Sequence, residues 1–349
     1  MRNYDDNILD IFRVAATIQV FVGHIGAHFT PSIVGEEIFS NIIHFIRGVP
    51  VLLVLCGFLA AKSLDGRTAK KWLLGRMVRL MPAFWVCILI NTVVIAFLYP
   101  IQPSLKEGAI YLATQFSGLN FYTGDWLREY GIGAPNGALW TICVQIQFFI
   151  LAPFIHRFLQ HKSFRNWCVY IAMLTLLSVA CNSLNGRIPE VLWKLLGVTA
   201  IPYLYFLMFG MMLWYHRDTI IPAAERFRWH LLIAYILWKC MENLFAFPHI
   251  ADGVLYNTVP TLLLALVIAA FGFCGRVRVR TDYTYGFYLY HMVFINIFVE
   301  LGQNSFFPIH MGLWRVAVVV LATLAAAYLS KRFIETPTAR FAKRKWENI

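Results

Sequence analysis

Apolar runs long enough to cross a bilayer recur along nearly the whole chain, and a run of that kind has few ways to fold. Hydrocarbon offers no partner to backbone N–H and C=O groups, so a spanning segment must satisfy them within itself, as a helix does. About 20 apolar residues cross the core of a membrane. Runs of that order occupy residues 8–29, 42–61, 82–99, 137–155, 166–182, 196–215, 230–247, 254–273, 283–301 and 313–330. The expectation is an all-α membrane protein, a polytopic bundle of about ten transmembrane helices. Composition points the same way, with 59% hydrophobic and 14% charged residues, where a soluble domain carries about 25% charge. Two runs have the weakest pattern: Asn182 ends one early, and Lys239 and Glu242 interrupt another. No repeat, low-complexity tract or long linker divides residues 1–349, which read as one integral membrane domain.

The loops orient this bundle. Lys62, Arg67, Lys70, Lys71, Arg76 and Arg79 follow the second run, and alternate loops repeat the pattern with Arg157, Lys162 and Arg165, then Arg217, Arg226 and Arg228, then Arg276, Arg278 and Arg280. The opposite set holds few cations, so the positive-inside rule puts both termini in the cytoplasm. The net charge of +12 then reports topology and contact with anionic lipid rather than nucleic acid, for which no motif is present. The opening MRNYDDNILD, with three acids, reads as the start of an uncleaved first helix and not as a signal peptide. Seven cysteines without C-x-x-C spacing read as apolar packing residues. The connection 100–136, rich in Gly, Pro and aromatics, reads as an outer lid or short re-entrant piece.

Ionisable residues inside spanning segments are costly and usually mark a site or a pathway. Arg13 and His24 lie eleven residues apart in the first run, which places them on nearly one helix face, about 16 Å apart along the axis. Arg76 and Arg79, at i and i+3, share a face of a short segment expected to stop near Pro82, and their forked donors suit phosphate oxygens. The bland alternatives are headgroup anchoring for these arginines and a hydrogen-bonded core role for the histidines. His291 in the ninth run has the same two readings, with Tyr285 or Tyr288 as structural partners. Lys239 and Glu242 form an i,i+3 pair expected to neutralise itself, and Glu335 is expected to anchor the C-terminal segment through a basic partner. Neither H-E-x-x-H nor ligand spacing of Cys and His occurs, so no metal is expected.

Several stretches, in order, resemble the acyltransferase-3 family of integral membrane acyltransferases, many of which O-acetylate cell-surface glycans. Arg13 and His24 match its R-x10-H pattern. GVPVLLVLCGFL at 48–59 resembles its second-helix element, with Cys56 where Ser is usual. Arg76, Arg79 and Pro82 match R-x-x-R-x-x-P, LWTICVQIQFF at 139–149 resembles W-S-L-S-V-E-E-Q-F-Y, and YTYGFYLYH at 283–291 resembles S-Y-x-x-Y-L-x-H. FIETP at 333–337 resembles the terminal E-x-P. The element's usual acid falls on Gln145. A neutral amide can orient an imidazole but cannot balance its charge, so either Gln145 suffices or Glu36, Glu37 or Asp125 takes that role.

The resemblance implies an inner-membrane O-acyltransferase without an appended extracytoplasmic domain, one that moves an acetyl group from acetyl-CoA to a sugar hydroxyl of a lipid-linked or exported polysaccharide. It implies His24, Gln145 and His291 as catalytic residues, and Arg13, Arg76 and Arg79 as contacts of the acyl-CoA donor. A glycan-assembly complex is an implied partner. Two other readings stay open on the sequence alone: a transporter or flippase for a glycolipid or small solute, and a catalytically inactive scaffold of such a complex.

Overall fold

The computed structural model describes residues 4–29, 45–245, 254–277, 279–303 and 312–347; Glu36, Glu37 and Arg278 lie outside them. Every regular element among the described residues is helical. The first half of the chain forms α1 (Leu9–Phe29), α2 (Gly48–Leu64), α3 (Ala69–Leu98), α4 (Leu105–Phe116), α5 (Trp140–Leu159) and α6 (Phe164–Asn182). Then come α7 (Glu190–Gly197), α8 (Leu204–Tyr215), α9 (Arg217–Arg226), α10 (Arg228–Phe245) and α11 (Val254–Gly272). The chain closes with α12 (Thr284–Gln303), α13 (Gly312–Ser330) and α14 (Thr336–Ala342).

A helix overlaps each apolar run, yet fewer than ten of them span by length and composition. Among the described residues, five helical stretches qualify: Leu9–His28, Ala69–Leu98, Trp140–Leu159, Phe164–Asn182 and Trp314–Lys345. A sixth qualifies if α7 and Ile201–Tyr215, bent by 48°, make one span. The expected figure of about ten also counts shorter apolar helices, such as Gly48–Leu64 and Thr258–Gly272, and α10 with its internal charges.

Two local expectations are corrected. The arginine segment does not stop near Pro82, because α3 runs through that proline for 30 residues. A proline removes one N–H and crowds the carbonyl four residues back, which kinks or breaks a helix; here the helix continues, so Arg76 and Arg79 ride on the same rod as the spanning segment. The run 196–215 is interrupted. The Gln147 side chain holds the break, donating to the Val198 carbonyl (2.8 Å) and accepting from the Ala200 amide (3.0 Å).

The chain divides into two compact units. Unit 1 comprises 1–20, 43–69 and 147–281, and unit 2 comprises 21–42, 70–146 and 282–349. In unit 1, α8 is buried on all sides from Tyr205 to Trp214, the mark of a central helix. It crosses α2 at a pair of glycines: a Cβ on Gly57 would lie 2.0 Å from the Leu207 carbonyl oxygen, and one on Gly210 would lie 2.0 Å from that of Val54. Small residues let helix backbones approach where lipid gives no hydrophobic drive. Also in unit 1, Lys239 pairs with Glu242 as expected, and Glu242 further takes Trp238 Nε1 (2.6 Å) and Arg47 (3.7 Å).

In unit 2, α4 opens with a capping box in which Ser104 and Glu107 satisfy each other's end of the helix. These hydrogen bonds from Ser104 hold the Glu107 carboxyl below its ordinary range. The connection after it does not lie loose: Leu127 and Tyr130 are fully buried against Ile95, Tyr99 and Tyr111.

The glycine crossing yields the first prediction. Gly57→Ala and Gly210→Ala each force two backbones apart and should cost about 1–3 kcal/mol, read as a lowered melting temperature of the detergent-solubilised protein. Gly197→Ala, where a Cβ meets nothing within 4 Å, is the control. Equal melting temperatures for all three would remove the crossing as the organiser of unit 1.

Candidate active site

Helix α1 is apolar enough to bury its polar residues, and its C-terminal half belongs to unit 2, where it meets α12. The meeting point is a row of imidazoles. The His24 and His291 ring centroids are 5.3 Å apart with planes tilted by 40°. His28, one turn beyond His24, stacks on it at 6.4 Å. Phe21 closes the inner side of the row, edge-on to His291 at 6.0 Å and to Phe287 at 5.0 Å.

His291 is 1% exposed, and its surroundings fix its tautomer. Nδ1 lies 2.8 Å from the Tyr288 carbonyl oxygen and 3.3 Å from that of Phe287. A carbonyl only accepts, so Nδ1 must carry the proton and donate, and the neutral ring then has its lone pair on Nε2. Nε2 is buried without a hydrogen-bond partner among the described residues. The sequence left Tyr285 or Tyr288 as structural partners of His291. The partner is the backbone of Tyr288, while the two tyrosine hydroxyls are used elsewhere, Tyr285 donating to the Leu80 carbonyl (2.8 Å) and Tyr288 lying 2.8 Å from the Thr141 hydroxyl.

These two contacts assemble the rest of the site. Tyr285 ties α12 to the part of α3 that carries Arg79. Arg76 lies three residues before Arg79, its guanidinium 5.5 Å from the Trp72 ring. Thr141 ties α12 to α5, and Gln145, four residues on, lies on the same face of α5. Gln145 is half-buried and forms no hydrogen bond to His24 among the described residues. Asp125 faces solvent and pairs with Arg128 (2.7 Å), so it is engaged away from the imidazoles. Arg13, on the N-terminal half of α1 in unit 1, pairs with Asp10 at 3.0 Å. Glu335 takes Ser330 (3.0 Å) and Lys331 (3.3 Å), the basic partner expected for it.

Sequence reasoning missed the residues that hold the buried connection in place. Asn296 donates to the carbonyls of Ala134 and Pro135 (both 2.9 Å) and accepts from the Ile132 amide (3.1 Å). Glu300, one turn on, accepts from the Gly131 amide (3.0 Å), and Asn91 donates to Pro135 (2.9 Å). Asn136 donates to the Leu289 carbonyl at 2.9 Å, two residues before His291. Gly131 has φ +55°, and a Cβ there would strike Asn296 Oδ1 at 2.5 Å. The sequence signal was present: Asn91, Asn296 and Glu300 are polar positions inside apolar runs.

The family model described as an acyltransferase domain, acyltransferase-3, matches residues 6–332, and the chain belongs to that family. It is 25% identical over 355 residues to Nodulation protein 10 of Rhizobium leguminosarum bv. viciae, covering 96% of this chain and 93% of that protein. It is 22% identical over 321 residues to the peptidoglycan O-acetyltransferase OatA of Listeria monocytogenes serovar 1/2a, covering 83% of this chain and 50% of that protein. No solved structure matches. The protein is therefore a membrane acyltransferase, and membership of this family speaks against the transporter reading.

The amide clamp yields the second prediction. Asn296→Leu leaves the Ile132 amide and the Ala134 carbonyl without their partner, while Asn91 still serves Pro135, at about 1–3 kcal/mol for each buried orphan. Hydrogen exchange should quicken at Ile132 and its neighbours while α3 and α12 stay protected. Unchanged protection of Ile132 would show that other contacts hold the connection.

Proposed function

We propose that the protein is an O-acetyltransferase of the cell inner membrane, transferring acetyl from acetyl-CoA to a sugar hydroxyl of a lipid-linked or exported cell-surface polysaccharide. The observation that carries this reading is the free, buried Nε2 of His291 beside a second imidazole, in a unit that also bears Arg76 and Arg79. The Listeria relative is a peptidoglycan O-acetyltransferase, which supports a glycan hydroxyl as acceptor.

The chemistry follows from the tautomer. A bare Nε2 accepts a proton and cannot donate to a thioester carbonyl, so the base role falls to His291 and not the carbonyl-polarising role. Nε2 takes the proton of the acceptor hydroxyl as the oxygen bonds to the acyl carbon. The C–S bond then breaks, and the imidazolium returns its proton to the leaving thiolate. His24 is the catalytic neighbour that steadies the acceptor hydroxyl or the tetrahedral oxyanion. Gln145, a neutral amide on the face of α5 tied to Tyr288, is proposed to engage this pair once substrate is bound, without adding charge. Such a relay closes on itself and requires the imidazolium only transiently, which suits a site with a Gln where the element it resembles has an acid.

The distribution of Lys and Arg supports cytoplasmic termini; on that side Arg76 and Arg79 would meet a CoA donor, with Arg13 of unit 1 as a separate candidate contact. Guanidinium forks then hold its phosphates. A glycan-assembly complex would present the acceptor from the other side.

Transfer of labelled acetyl from acetyl-CoA to a glycan acceptor by purified protein tests the reading. His291→Ala should lower kcat about 10²–10⁴-fold, and His24→Ala and Gln145→Leu should lower it too, while Arg76→Gln with Arg79→Gln should raise the KM for acetyl-CoA. Full turnover in both His24→Ala and His291→Ala would end the imidazole assignment. An unchanged KM in the double arginine variant would return those residues to lipid anchoring.

A further inference from the structure

Unit 1 contains a cleft that the acyl-transfer reading does not use. It has a volume of about 470 Å³ and is lined by Tyr4, Asp5, Lys62, Asp65, Trp214 and Arg217. Two cations converge on one indole: the Arg217 guanidinium lies 4.1 Å from the Trp214 ring centroid, and Lys62 Nζ lies 5.7 Å from it. Lys62 is already neutralised by Asp5 at 2.6 Å. Arg217 spends one guanidinium nitrogen on the Trp214 carbonyl (2.9 Å) and has no acidic partner among the described residues. The Asp65 carboxylate has no hydrogen bond or ion pair there either. The cleft thus offers one unmatched cation and one unmatched anion, a pattern that selects a zwitterion.

A second cavity lies against the same aromatic wall. Trp214 packs edge-on to Phe58 (5.5 Å), Tyr4 packs edge-on to Phe273 (5.7 Å), and Phe58 meets Phe273 at 5.9 Å. Phe58 and Phe273, with Leu9, Leu55 and Leu213, line a narrow apolar crevice of about 20 Å³. A polar cleft joined through shared aromatics to an apolar crevice suits an amphiphile. The nucleotide end of CoA fits poorly, since its several phosphates require a surplus of cations and the lining carries two of each sign.

We propose that this cleft binds the headgroup of a phosphoethanolamine lipid. The phosphate meets Arg217 beside Lys62, the primary ammonium donates to Asp65, and the start of an acyl chain runs toward the apolar crevice. A quaternary ammonium cannot donate to Asp65, so phosphatidylcholine is the discriminating control.

The test is native mass spectrometry of the full-length protein released from vesicles of equimolar phosphatidylethanolamine and phosphatidylglycerol, or of phosphatidylcholine and phosphatidylglycerol. Retention of phosphatidylethanolamine should exceed that of phosphatidylcholine about tenfold, the worth of one charge-assisted hydrogen bond. Asp65→Asn should abolish the preference, and Arg217→Gln, which removes the phosphate contact common to both lipids, should lower the retention of both. Arg217 also packs on Trp214, so if Arg217→Gln does not fold, the exposed Asp65→Asn decides alone. Equal retention of the two lipids, or a preference that survives Asp65→Asn, overturns the proposal. Displacement of the lipid by soluble O-phosphoethanolamine at equal concentration would assign the cleft to a free metabolite, and displacement by CoA would assign it to the donor nucleotide. Either result contradicts a lipid site.

Discussion

Non-helical backbone buried among apolar helices must find a hydrogen-bond partner for every amide and carbonyl it exposes, because no water is there to supply one. In unit 2 this constraint falls on residues 130–139, and the side chains of Asn91, Asn136, Asn296 and Glu300 meet it. The consequences reach the imidazoles. Asn136 grips the Leu289 carbonyl, and Thr141, just inside α5, meets the Tyr288 hydroxyl. The turn of α12 whose carbonyl fixes the His291 tautomer is thus braced from the connection on one side and from α5 on the other. Cys87 adds a third brace, donating to the same Leu289 carbonyl at 3.2 Å. If His291 is the base proposed above, it gains its competence from preorganisation rather than from a neighbouring carboxylate.

Unit 1 solves a different problem. Its central helix α8 has no amphipathic face to orient it, and close backbone approach at Gly57 and Gly210 takes that role. Its polar residues are concentrated in separate clusters. Lys239, Glu242, Arg47 and Trp238 form one, in which a carboxylate with 0% side-chain exposure is shared between two cations and an indole. Breaking such a group by removing one partner leaves an uncompensated buried charge.

Much of this was legible in the chain. Length and apolarity announced helices at every run, since a bilayer leaves no alternative. The isolated polar residues His24 and His291 stood out because burying them is expensive, and the structure brings their rings together. The motif order announced the family. What stayed hidden depended on distant partners. Pro82 looked like a stop because a local rule cannot see that α3 continues on both sides of it. The break before α8 looked like one span because Gln147, which holds it open, lies fifty residues earlier. The tautomer of His291 depends on a backbone carbonyl, which no side-chain pattern records. Asn91, Asn296 and Glu300 were readable as polar positions, but their common purpose required knowing that residues 130–139 fold inward.

The central claim is that His291 is held with its proton on Nδ1 and a bare Nε2 able to accept one. Nitrogen NMR of protein labelled with 15N-histidine reads this directly, the His291 signals being identified by their loss in His291→Ala. At neutral pH the account predicts one protonated and one unprotonated ring nitrogen, with the proton on Nδ1. A proton on Nε2, or on both nitrogens, would contradict it.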